Sequence, residues 1–174
     1  MATSLRGLLT WIRELPAYAS ARDGLHAGLE LPPFALLPRA RPAVIAALLG
    51  ETSAPVVIVV PTIEASRRLT VSLRTWMEAP SRLIQFPEPP GLLYERVPWP
   101  PEIIGDRLGV ISQLATAQAG RTSDSRGPVI VTSARALMRR TLPYRQFRKA
   151  IRRIATGASE SLGQLTRHAT GIGY

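Results

Sequence analysis

Phosphoryl transfer in a strand-and-helix protein needs a lysine for the terminal phosphates and a hydroxyl for magnesium, in the spacing GxxxxGK[ST]. The one lysine of this sequence, Lys149, follows Arg148 instead of a glycine, so the literal motif is absent. The one GxG, Gly171 to Gly173, stands at the chain end with no helix after it, which excludes a dinucleotide fingerprint. His26 and His168 are far apart, with no HExxH and no carboxylate cluster nearby, so no metal site is expected. Glu102 and Asp106, four apart at the start of a helical stretch, could form a carboxylate pair. Acids in a first turn are also what the helix dipole favours, and that structural reading is preferred. No catalytic residue is assigned.

The strongest chemical signal is charge. From 135 to 153 there are eight basic side chains, Arg135, Arg139, Arg140, Arg145, Arg148, Lys149, Arg152 and Arg153, and no acid. Such a run can hold phosphates or an acidic partner, or can be a solvated charged face. Aromatic interleaving is thin, with Tyr144 and Phe147, which argues against stacking on single strands. Trp99, wedged among prolines, reads as a residue that pins its loop to the domain body.

These residues need elements to position them. Leu5, Leu8, Leu9, Ile12 and Leu15 share one helical face over 4–15, with Ser4 available as N-cap, and loop signals follow through Gly24, Gly28, Pro32 and Pro33. Residues 40–50 read as a helix that tolerates Pro42 in its first turn. The run 55–60 is short, β-branched and apolar on both parities, as expected of a central parallel strand covered on both faces. Thr62 caps the amphipathic stretch that follows, 82–86 is a second strand, and six prolines between Pro87 and Pro101 forbid any regular element there. A helix from Glu102, a strand at 128–131 and a helix at 133–140 complete an alternation that predicts a parallel sheet with helices on both faces. Phe147, Ala150, Ile151 and Ile154 fit a helix over 144–154, although 149–157 also fits an edge strand, and a short helix closed by Gly171 follows.

Composition bounds the rest. With 174 residues, 45% of them apolar, the chain can bury about 68–70% of its unfolded surface, so disorder is excluded. The absence of cysteine removes disulfides, thiolate metal sites and cysteine nucleophiles. The longest apolar runs, 43–50 and 55–61, fall far short of the roughly 20 residues that span a bilayer, and no usable signal peptide precedes 17–21. A cytoplasmic protein with no membrane partner is expected. The net charge of +10 is a C-terminal property, because most of the excess lies beyond residue 120.

Several segments, taken in order, resemble one family. The stretch 94–115, YERVPWPPEIIGDRLGVISQLA, looks like the proline-rich loop and helix in the N-terminal module of the bacterial transcription-repair coupling factor (Mfd). Residues 127–143 and 55–76 resemble strand–helix units on either side of it, and 165–174 resembles a helix ending in a Gly-Tyr pair. That module is similar to the repair protein UvrB, which implies a RecA-like α/β sheet with the start of a small α+β inserted domain at the C-terminal end. The implied divisions are an N-terminal helix and loop (1–33), a RecA-like domain (34–146) and an incomplete inserted domain (147–174) opening with a strand at 149–155. The P-loop of UvrB matches 36–43, where Leu36 begins the stretch and Arg41 and Pro42 replace the lysine and the hydroxyl residue. The resemblance therefore implies a degenerate nucleotide site with no cofactor.

It implies further that the chain is a fragment of an ATP-dependent DNA translocase. The full protein would displace stalled RNA polymerase and recruit nucleotide excision repair through UvrA, docked on the inserted domain, while polymerase and DNA would be held by domains outside this chain. Two other readings stand beside this one: a free-standing basic nucleic-acid-binding α/β domain, and an NTPase with a degenerate loop.

Overall fold

The apolar β-branched runs form a three-stranded parallel sheet in the order β1-β3-β2, flanked by helices, as the alternation predicts. The computed structural model describes residues 7–91, 95, 97–118, 126–152, 154, 156, 157, 159 and 161–171. Along the chain run α1 (Leu8–Arg13), α2 (Pro16–His26), α3 (Arg41–Glu51), β1 (Val56–Val60), α4 (Ile63–Trp76), a 3-10 turn at Pro80–Arg82, and β2 (Leu83–Phe86). Then come α5 (Pro101–Gln118), β3 (Val129–Ser133), α6 (Ala134–Met138), α7 (Tyr144–Ala150) and α8 (Leu162–Gly171). The chain divides into two compact units, the first ending at Arg139 and the second beginning at Arg140.

In the first unit, β1 leads through α4 to β2 on the far side of the position that β3 later fills, and α5 brings the chain back. These crossovers run in opposite directions, so right-handed connections put their helices on opposite faces. Side-chain alternation along β3 shows it: Val129 and Val131 pack with Ala46, Leu49, Leu73, Met77 and Leu83, whereas Ile130 packs with Phe86, Val110 and Ala136. A further layer lies outside α3, where Leu9 and Tyr18 from α1 and α2 bury against Ala43 and Ala47.

Local chemistry sets the element ends. Thr62 Oγ1 accepts from the Ala65 N–H and Ser133 Oγ from the Ala136 N–H, so α4 and α6 both start on hydroxyl caps. Gly127 is required for another reason. A Cβ there would meet the Pro55 nitrogen at 2.6 Å and the Ala54 carbonyl carbon at 3.0 Å, where the chain entering β1 crosses the chain entering β3.

Three expectations need correction. The strand at 56–60 is not central. β3 holds that place, and β1 is an edge strand whose Val56 and Ile58 face the core while Val57 and Val59 are 49% and 50% exposed. Residues 16–26 form a helix although Gly24 and Gly28 signal a loop, because Pro16 at the first turn starts α2 and Gly24 is tolerated inside it. The strand at 149–155 is not seen: Lys149 and Ala150 end α7, and Ile151, Arg152 and Ile154 carry no regular structure, with 153 and 155 outside the described residues. Phe147 is buried on α7, which favours the helical period there. The N-cap proposed at Ser4 and the Gly-Tyr pair at 173–174 also lie outside the described residues.

Two glycine substitutions should act with opposite sign. Gly127→Ala forces backbone apart and should cost about 1–3 kcal/mol, whereas Gly105→Ala, with nothing near its Cβ on the exposed side of α5, should add about 0.5–1 kcal/mol. Urea unfolding midpoints of the two variants check both.

Candidate functional site

In open parallel sheets, ligand clefts form at the carboxyl ends of the strands. Here that end is occupied by the chain's own loop. The proline-rich segment leaves β2 at Pro87 and is fastened by three arginines and one glutamate. Arg107, on the second turn of α5, is 3% exposed and sits with its guanidinium 4.0 Å from the Phe86 ring centroid and 5.2 Å from that of Trp99. Its Nη1 donates to the Pro87 carbonyl at 2.8 Å, and both Nη atoms donate to the Ala136 carbonyl at 3.3 Å. Among the described residues no carboxylate pairs with it. Burial, and then the neighbouring Arg139 charge, push its pKa below the ordinary arginine value. A lone buried cation is tolerable here because Ala136 is in the last turn of α6, where unpaired carbonyls carry the negative end of the dipole.

Beside it, Ser133 Oγ donates to Glu88 Oε2 at 2.6 Å, and Glu88 Oε1 pairs with Arg135 Nε at 3.1 Å. Arg135 and Arg139 each donate through Nη2 to the Gly91 carbonyl, at 3.1 and 3.3 Å. Gly91 has a φ of +83°, and the Val97 side chain closes over it, so the loop doubles back at this point. The serine hydroxyl is committed twice, as donor to Glu88 and as helix cap, and is not an activated nucleophile. What this arrangement does is hold a loop.

The sequence-derived candidates separate accordingly. Arg135 and Arg139 belong to the first unit and act as loop clamps, while Arg140, Arg145, Arg148, Lys149 and Arg152 belong to the second. Arg153 lies outside the described residues. Trp99 pins its loop as expected, through Arg107. Glu102 and Asp106 are exposed on α5 and make no hydrogen bond or ion pair with each other. His26 is exposed at the end of α2, and the His168 side chain lies outside the described residues. In the stretch matched to a P-loop, Leu36 and Pro42 are half-buried, Arg41 is exposed, and 31–37 forms no strand. No glycine falls between Gly28 and Gly50, so the loop before α3 lacks the residues that let successive N–H groups cradle a phosphate.

Two residues that matter were not singled out from the sequence. Arg107 occupies the buried register of α5, with Ile103, Val110, Ile111 and Leu114, and a cation in an apolar stripe was the available signal. Arg82 is the other. Buried just ahead of β2, it donates to the carbonyls of Gly127 at 2.8 Å and Leu49 at 3.3 Å, and so caps the last turn of α3.

No family model matches the chain. Over 162 residues, 90% of its length, the chain is 29% identical to a transcription-repair-coupling factor from Myxococcus xanthus, of which it covers 13%. The likeness supports a family relationship with the coupling factors, and the chain spans a small part of the length of that relative.

The clamp can be measured. Arg107→Met should lower stability by about 2–4 kcal/mol, because it strands buried carbonyls, and should expose the chain at 87–91 to limited proteolysis. Arg135→Ala, which removes a partly exposed pair, should cost at most about 1 kcal/mol.

Proposed function

We propose that this chain is a non-catalytic, partner-binding module of a transcription-repair coupling factor, related to the N-terminal UvrB-like part of that family. The observation that carries the reading is the similarity to a coupling factor along 90% of the chain. The parallel sheet flanked by helices is compatible with a partial RecA-like domain. In the full protein, ATP-dependent translocation on DNA and displacement of stalled RNA polymerase would belong to other domains, and this module would contribute to recruiting excision repair through UvrA.

Two features support a role without nucleotide turnover. Arg41 and Pro42 stand where phosphate and magnesium ligands would be needed, and proline offers neither an N–H nor an oxygen. The carboxyl ends of β2 and β3 are covered by the clamped loop instead of opening into a cleft. UvrA docking is assigned to the region that begins near Phe147. Among the described residues of the second unit, Phe147 is the buried apolar side chain, so these residues bury little surface by themselves.

Calorimetric titration with Mg-ATP should give no binding and no turnover. A dissociation constant in the micromolar range would overturn the non-catalytic reading and favour an NTPase. A pull-down should recover UvrA with a chain extended beyond Tyr174 and recover little with the 174-residue chain. Equal recovery by both would place the docking determinants within residues 1–174.

A further inference from the structure

We infer that the outer face of α7 is a sequence-independent binding surface for the phosphate backbone of duplex DNA. At about 100° per residue, Arg148, Arg145 and Lys149 fall within an arc of about 100° on this helix. Phe147, which is buried, lies about 160° from Arg145, so the helix has one face turned inward and an opposite face made of cations. Arg145 and Lys149 are one turn apart, about 6 Å along the axis, and all three cationic side chains are exposed.

Among the described residues the charge of this face is not offset by an ion pair. Arg145 and Lys149 make no ion pair among the described residues, and Arg148 has its guanidinium 5.9 Å from the centroid of the Tyr144 ring. No carboxylate side chain occurs between Asp124 and Glu160, so nothing close in sequence offsets the field. The other members of the basic run contrast with this, since Arg135 and Arg139 are held by Glu88 and the Gly91 carbonyl. The structure thus divides one continuous basic run into a part that fastens a loop and a part that faces solvent.

The occupant favoured by this chemistry is nucleic acid. Protein–protein interfaces place apolar and aromatic anchors at their centre and charge at the rim. Here the centre of the arc is all cation, two of the three being guanidinium groups whose planar fork matches phosphate oxygens. The exposed Tyr144 ring, 41% accessible, stands at the edge of the arc, so the surface tracks a backbone without base readout.

The test uses the full chain and a fluorescently labelled duplex of mixed sequence, with anisotropy followed over a salt series. Binding is expected at low salt. Replacing Arg145, Arg148 and Lys149 together by alanine should reduce the slope of log K against log salt by about 2.7, at about 0.9 per lost phosphate contact. The control Arg67→Ala/Arg68→Ala/Arg74→Ala on α4 removes the same net charge from exposed positions and should leave the slope unchanged. Absence of binding at low salt, or an equal loss in both triple variants, would overturn the inference. So would polyglutamate binding as tightly as DNA with the same dependence on α7, because the face would then be a site for acidic proteins. None of these outcomes depends on ATP or UvrA binding, so this inference and the function proposed above fail separately.

Discussion

The structure depends on satisfying the surroundings of β3, a strand with no solvent side. All five of its residues are buried, β1 and β2 pair with its two edges, and helices cover both of its faces. A strand placed this way can be built only if the chain ends around it also find hydrogen-bond partners, since unmet buried carbonyls cost about 1–3 kcal/mol each. Two buried guanidinium groups meet that demand. Arg82 works where β2 and β3 begin, joining the approach to β3 to the end of α3. Arg107 works where they end, joining the loop after β2 to the last turn of α6. Arginine suits both places because its several donors reach different segments at once, and because helix carboxyl ends attract positive charge.

Functional character follows from how the arginines are used. Arg107, Arg135 and Arg139 close the strand ends where a parallel sheet would otherwise offer a ligand cleft, leaving a pinned, proline-rich surface. In the second unit the cations of α7, Arg145, Arg148 and Lys149, face solvent instead. Among the described residues β1 is an edge of the sheet. Its Val57 and Val59 are about half exposed, although strands of parallel sheets are normally covered on both faces.

The strands and most helices are legible because their signals are local: β-branched runs at 55–60 and 128–131, the cap at Thr62, and the proline cluster after Phe86. Strand order was not legible. Val57 and Val59 are as apolar as Val129 and Ile130, so hydrophobicity could not tell the covered strand from the half-covered one. α2 is not legible in the sequence because Gly24 signals a break, whereas in the fold Leu31 packs against that glycine. For the tail, helical spacing was the better guide than resemblance, since Phe147 needed an inward face. The basic run is visible as composition, but that Arg135 and Arg139 clamp a loop depends on Gly91 and Glu88, more than forty residues away in sequence.

Native-state hydrogen exchange tests most directly whether β3 is the axis of the fold and β1 its open edge. Val56 donates its N–H to Pro128 on the β3 side, so by alternation the N–H groups of Val57 and Val59 point away from the sheet. The expected result is that amides of residues 129–133 exchange only through global unfolding, while those of Val57 and Val59 exchange by local opening. Exchange of the β3 amides at low opening free energy, or protection of Val57 and Val59 equal to that of Val56 and Ile58, would contradict it.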